Sequence, residues 1–254
     1  YQYISQHLLG TTYMDKKLKP KITQKTSINL DMLSFVSHEL KTPLSTMKLN
    51  VELLKKQASL EQQNLIKMLD EEVAWMIQFI SDTLDLKKMD NKAILNLSWH
   101  KWNQWIKSIQ DNMEKTVHLY ERNLKMHFPD KETEVYMDPL YIRQVLFNLM
   151  MNAIQCSFKN SLIEILWTQT EAGELSVEIK DHGPGINPKS INKIFEPFYQ
   201  DTEKMEIAVK GSGLGLSIVK KIIEAHGGNV QASNRLDNKG AFFKFTLPRT
   251  RAIF

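Results

Sequence analysis

His38 and Glu39 stand side by side in Ser34-Phe35-Val36-Ser37-His38-Glu39-Leu40-Lys41-Thr42-Pro43-Leu44. A mostly neutral imidazole is a nucleophile near pH 7, and an adjacent carboxylate can take its proton. Pro43 removes the helical hydrogen bond to the Glu39 carbonyl and crowds it, at a cost of about 3 kcal/mol, which predicts a kink kept for function. Asn148 and Asn152 sit one helical turn apart and share a face. Their amide oxygens are hard neutral ligands that suit Mg²⁺ when phosphate oxygens and waters complete the octahedron. Asp181 opens Asp181-His182-Gly183-Pro184-Gly185 directly after a strand pattern. A carboxylate there can accept a hydrogen bond from an exocyclic amine such as adenine N6, and Gly183 and Gly185 let the backbone turn tightly and approach a base. Phe195-Glu196-Pro197-Phe198 precedes a polar stretch, 199–210, long enough for a mobile lid. Gly211-Ser212-Gly213-Leu214-Gly215-Leu216 then opens a helix, where glycines expose backbone N–H groups to a phosphate. The spacing is not the dinucleotide fingerprint, and no P-loop motif is present. Taken singly, each feature has an ordinary alternative: a surface histidine, a polar pair, a plain turn.

The elements that position these residues follow from periodicity. Leu33, Leu40, Leu44, Met47, Val51 and Leu54, with Ser37 completing the repeat, predict a helix over about 28–56, roughly 40 Å long. His38, Glu39 and Thr42 fall on its outward side. Ser59 and Gln62 have the form of a capping box for a second helix carrying Leu65, Leu69, Val73, Met76, Ile80 and Leu84 to about Asp90. The short connection makes the two antiparallel. Trp75, Ile77 and Phe79 add apolar faces that one hairpin cannot bury. A dimeric four-helix bundle is the expected solution, and packing of the second helix on another part of the chain is the alternative.

Beyond residue 94 the pattern shortens. Strands are expected at 94–97, 124–128, 134–137, 162–168, 175–180, 229–233 and 241–247. A helix over 103–122 has Ile106, Ile109, Met113 and Val117 on one face, with Trp102 and Trp105 joining that core. Asp138-Pro139 caps the helix of the two asparagines, whose Val145, Leu146, Leu149 and Ala153 face inward. A last helix, 214–225, stops at Gly227-Gly228. The fold class is α+β: an antiparallel two-helix hairpin (28–90), then an α/β sandwich (95–250), with 1–27 a linker and 90–95 a hinge.

Hydrophobic residues make up 42% and charged residues 24% of the 254, the balance of a globular protein with a sizeable core. The net charge of +4 is spread along the chain and does not suggest nucleic-acid binding. A single cysteine, Cys156, excludes an internal disulfide and fits a reducing compartment. No stretch approaches the roughly 18 apolar residues of a membrane span, and no signal-peptide pattern opens the chain. Because it begins with Tyr1, it is expected to be a fragment or processed piece, with any membrane part lying before residue 1.

His-Glu-Leu-Lys-Thr-Pro-Leu at 38–44 resembles the phosphoacceptor box of sensor histidine kinases, and the four downstream features, in order, resemble the ATP-binding domain shared by histidine kinases, type II topoisomerases, mismatch-repair ATPases and a heat-shock chaperone. The likeness covers about residues 29–250. It implies autophosphorylation of His38 from Mg-ATP, with Glu39 as proton acceptor, and transfer to an aspartate on a response-regulator receiver domain. It also implies a homodimer and dephosphorylation of the partner, with Thr42 orienting water. By the same likeness Asn152 would hold Mg²⁺, Asn148 would assist it, Asp181 would bind adenine, and Gly211, Gly213 and Gly215 would shape the phosphate-side loop. Two positions depart from the family pattern. Gln155 and Gln200 stand where a lysine and an arginine often reach phosphates, and Lys204 or Lys210 could stand in.

Overall fold

A computed structural model of the chain describes residues 30–57, 59–90, 95–200, 212–235 and 240–249. The expected linker 1–27, the hinge residues 91–94, and Lys204, Lys210 and Gly211 lie outside them.

Two long helices, α1 (Leu30–Gln57) and α2 (Leu60–Asp90), form the hairpin. α1 runs through Pro43 as one continuous helix. At the start of α2 the Ser59 N–H donates to Gln62 Oε1 at 3.1 Å, one half of the expected capping box. Lys55 pairs with Asp70 across the hairpin at 2.5 Å. Leu44, Val51, Ile66 and Val73 are buried between the helices, but Leu40, Met47, Leu54, Leu65 and Leu69 of the predicted seam remain 46–64% exposed. One hairpin does not cover its own apolar stripe.

The second unit is β1 (Ser98–Lys101), α3 (Trp102–Leu119), β2 (Asn123–His127), β3 (Glu134–Met137), α4 (Pro139–Cys156), β4 (Leu162–Gln169), β5 (Leu175–Lys180), α5 (Gly215–Ala225), β6 (Asn229–Asn234) and β7 (Ala241–Leu247). Five strands form one sheet in the order β2-β4-β5-β7-β6, with only the β2–β4 pair parallel. Alternate residues Ile163, Ile165, Trp167, Val177, Ile179, Phe243 and Phe245 point into a core closed by Ile106, Met113 and Val117 of α3, Val145, Leu146 and Leu149 of α4, and Ile218, Val219 and Ile222 of α5. The other face alternates with half-buried charged residues such as Glu178 and Lys244, paired at 3.3 Å. Trp102 is fully buried and Trp105 packs against it, 5.1 Å between ring centroids, as expected of core residues.

Two boundaries differ from expectation. Residues 95–97 are not a strand: the Asn96 N–H donates to Asp138 Oδ2 at 2.7 Å, so this segment is tied to a helix cap. The first strand begins instead at Ser98 and pairs antiparallel with β3. α3 stops at Leu119 and not at 122, because Glu121 adopts a left-handed φ of 57°. The Glu121 N–H then returns to the His118 carbonyl at 2.9 Å and the Arg122 N–H to that of Val117 at 3.1 Å, a Schellman closure built without glycine.

Candidate functional site

Asp138 caps α4: Oδ1 accepts from the N–H groups of Leu140 (3.0 Å) and Tyr141 (3.3 Å), and Pro139 sits where an N–H would be unmatched anyway. The helix thus anchored carries the asparagine pair. Asn148, half-buried, donates from Nδ2 to the Gly215 carbonyl at 3.4 Å and links α4 to the start of α5. Asn152, one turn on, is also half-buried and has no hydrogen-bond partner among the described residues. A half-buried amide with no hydrogen bond to the described residues is a fitting oxygen donor for a hard cation. Gln155 follows, half-buried, at the position that departs from the family pattern.

Asp181 ends β5 and is 2% exposed. Its Oδ1 accepts from the N–H groups of Gly183 (2.9 Å) and Ala241 (3.1 Å), which leaves Oδ2 without a described partner and able to accept from an outside amine. Burial pushes its carboxyl above the usual range, against the pull of those two bonds and of nearby His182 and Arg235. Gly183 is required by close approach, since a Cβ there would lie 2.3 Å from the Cys156 carbonyl oxygen. Gly185 turns the loop at φ +76°, and Asn234 clamps the next residue, its Oδ1 accepting from the Ile186 N–H (2.6 Å) and its Nδ2 donating to the Ile186 carbonyl (2.8 Å). His182 Nδ1 lies 2.7 Å from the Leu162 carbonyl and its Nε2 3.0 Å from Arg235 Nη1. The guanidinium can only donate, so Nε2 accepts from it and Nδ1 faces the Leu162 carbonyl. The Cys156 thiol, pushed up to about 11 chiefly by burial, is not a nucleophile near neutral pH.

At the glycine loop before α5, Gly213 has φ +70°, and a Cβ would lie 2.9 Å from Phe198, whose N–H donates to the Gly213 carbonyl at 2.9 Å. Gly215 has no such crowding: its nearest neighbour would be Asn148 Cγ at 3.9 Å. The Leu214 N-cap offers no side-chain hydrogen bond, so the first N–H groups of α5 lack that partner and present the positive end of the helix dipole. Leu216 packs half-buried on the core, which leaves its backbone as the part suited to a ligand. Gln200 is exposed. His38, Glu39 and Thr42 lie on the α1 backbone, and their side chains are outside the described residues.

Four participants were not singled out from the sequence. Asn234 clamps the glycine turn, and His226 accepts from the Asp138 N–H at 3.0 Å. Asp82 of α2 accepts from Ser212 Oγ at 2.7 Å, and Asp85 accepts from Gln144 Nε2 of α4 at 2.8 Å. Phe79, Leu86 and Met89 of α2 accompany them against the sandwich core. Part of the apolar excess of α2 is therefore covered within the chain, the alternative that had ranked second to dimerisation. The available signal was a carboxylate interrupting the Phe79–Leu86 stripe.

A helical hairpin joined to an α/β sandwich is the architecture that the comparisons identify. The family model described as "Histidine kinase-, DNA gyrase B-, and HSP90-like ATPase" matches residues 137–251, and the "His Kinase A (phospho-acceptor) domain" matches 28–92. The chain belongs to the sensor histidine kinases. Sensor histidine kinase WalK of Bacillus subtilis (strain 168) is 31% identical over 236 residues, covering 89% of this chain and 38% of WalK. Full-length ShkA, crystallised in complex with AMPPNP, superposes with a TM-score of 0.68 at 25% identity, over 89% of this chain and 47% of that one. Histidine kinase ThkA in complex with response regulator protein TrrA gives a TM-score of 0.63 at 25% identity, over 88% and 63%. The chain spans well under half the length of the WalK relative. Among the described residues no helix is long and apolar enough to cross a membrane.

Proposed function

We propose that this chain is the kinase core of a sensor, with a segment 1–27 leading into a phosphoacceptor hairpin at 28–90 and a catalytic domain at 95–250. An imidazole nitrogen of His38 attacks the γ-phosphorus of ATP, a P–N bond forms as the β–γ bridging P–O bond breaks, and ADP leaves. Glu39 takes the proton from the other ring nitrogen. Asp181 holds the adenine amine through Oδ2, the glycine loop and the start of α5 face the phosphates, and Asn152 with Asn148 would hold Mg²⁺. Mg²⁺, when bound, offsets the charge of the phosphate oxygens. Positioning by these residues supplies the rest of the catalysis.

The observation that carries this reading is the Asp181 carboxylate with Oδ2 left open, in a loop whose Gly183 closes on the Cys156 carbonyl at the end of α4, the helix whose Asn148 meets Gly215 at the start of α5. A second copy covering Leu40, Met47, Leu54, Leu65 and Leu69 would complete a dimeric four-helix bundle. The phosphoryl group then passes to an aspartate of a response-regulator receiver domain, and Thr42 orients water for dephosphorylation of that partner. The cytoplasm is the expected compartment.

Incubation with γ-labelled ATP followed by acid treatment tests the first step. Wild type is expected to carry acid-labile label, and His38→Ala to carry none while still binding ATP. Steady ATP turnover without a labelled protein would overturn the assignment in favour of an ATP-driven conformational machine.

A further inference from the structure

The C-terminal half of α2 meets the sandwich at the parts that would surround the phosphates. The Phe79 ring lies 6.5 Å from that of Phe198, Asp82 Oδ2 accepts from Ser212 between the two glycines, and Asp85 accepts from Gln144, one turn before Asn148. Asp82 is 4% exposed, and its other oxygen accepts from Gln78 Nε2 at 2.8 Å. Phe198 holds a left-handed φ of 64°, rare for a bulky residue, and its N–H donates to the Gly213 carbonyl, so the ring contact and the hydroxyl contact act on two backbone segments that are bonded to each other.

The charges matter as much as the contacts. Ser212 spends its proton on a carboxylate, and Asp85 stands one turn along the same face. On the α5 side, Lys221 faces Lys87 and is held below the usual lysine range chiefly by burial. Burial raises the Asp82 carboxyl, opposed by its two hydrogen bonds and reinforced by Asp85. A triphosphate against Ser212 and Gly213 would bring further negative charge against Asp82 and would need the donors of these two residues for itself.

We infer that the Asp82–Ser212 hydrogen bond is a latch that competes with the triphosphate for the glycine loop, so that nucleotide binding frees the catalytic domain from α2. The inference rests on the nucleotide reading above. Coupling is reciprocal: whatever factor the phosphates take from the latch, removing the latch returns to phosphate binding. Adenosine, which has no phosphates, leaves it closed.

Calorimetric titration of the whole chain with ATP and with adenosine tests this. Asp82→Ala is expected to bind ATP about fivefold tighter or more, the lower end of ordinary coupling, with adenosine affinity unchanged. Asp82→Asn keeps an acceptor for Ser212 without the charge and is expected to fall between, which also covers the case of Asp82→Ala failing to fold. In wild type, amide exchange over 79–89 should quicken on adding ATP and not on adding adenosine. Equal ATP affinity in wild type and a folded Asp82→Asn, an equal gain for adenosine, or unchanged exchange would each overturn the latch. Absence of ATP binding in wild type and variants alike would instead overturn the nucleotide reading beneath it.

Discussion

The backbone N–H of Asp138 donates to Nε2 of His226 across 3.0 Å, while Nδ1 of His226 lies 2.7 Å from the Ile222 carbonyl oxygen. One nitrogen must accept and the other donate, so the ring is neutral with its proton on Nδ1. The last turn of α5 thereby holds the cap of α4, the helix that carries Asn148 and Asn152.

That link makes the sandwich sensitive to acid. Burial holds the His226 imidazole below its ordinary value, opposed by the bond to Ile222 and by Asp138. A histidine so depressed contributes stability that is complete above the unfolded value of about 6.5 and is lost as pH falls below it. The urea midpoint should therefore drop between pH 7.5 and 5.5. His226→Gln, which cannot be protonated, should show a smaller drop, and an equal drop would remove His226 from this role.

Asp181 trades stability for binding. Its carboxyl is raised by burial, so ionising it costs the folded state more than the unfolded chain. The sign is that of a stabilisation present at low pH and lost as pH rises through the raised value. Asp181→Asn retains an acceptor for Gly183 and Ala241 and is expected to melt no lower than wild type at pH 7.5. Its ATP affinity should fall by at least about tenfold, because an amide nitrogen cannot accept from an amine. A variant that melts lower and binds as before would contradict both halves.

Asn152 and Thr42 separate the steps of the proposed cycle. Asn152→Ala should abolish labelling of His38 yet bind adenosine as wild type does, since its amide contacts no described residue of the base pocket. Thr42→Ala should keep autophosphorylation within about twofold and slow dephosphorylation of the regulator by about a hundredfold, the lower end for a lost group that assists proton transfer to or from water. Equal losses in both rates would deny Thr42 a separate part.

Local chemistry was legible in the sequence where one element decides it. The Asp138-Pro139 cap, the inward face of α3, strands β3, β5 and β7, and the Gly227-Gly228 stop all follow from neighbours a few residues apart. The register at 94–101 was not legible, because the Asn96 N–H is claimed by Asp138, 42 residues away. Glu121 closed α3 in a conformation for which sequence rules nominate glycine. The Asp82–Ser212 bond spans 130 residues, and no periodicity reports a partner at that distance. Within the site, Asp181, Gly183 and Gly213 could be named from spacing. The clamp by Asn234 could not, since an asparagine at the end of a strand is an ordinary residue there.

The glycines of the two loops should separate under substitution. Gly183→Ala places a Cβ 2.3 Å from the Cys156 carbonyl oxygen, a backbone atom at the end of α4 that cannot move alone. The loop or the helix end must shift, and the variant should lose about 2 kcal/mol or more, the cost of forced overpacking, and with it ATP binding. Gly215→Ala meets only Asn148 Cγ at 3.9 Å and gains helix propensity at the first turn of α5. It should melt at or slightly above wild type. If the open space before α5 is where phosphates lie, the same methyl group should weaken ATP binding and leave adenosine binding alone. Unfolding curves and paired titrations on the two variants decide it: a destabilised Gly215→Ala would mean that the turn is a packing feature, and unaltered ATP affinity would put the phosphates elsewhere.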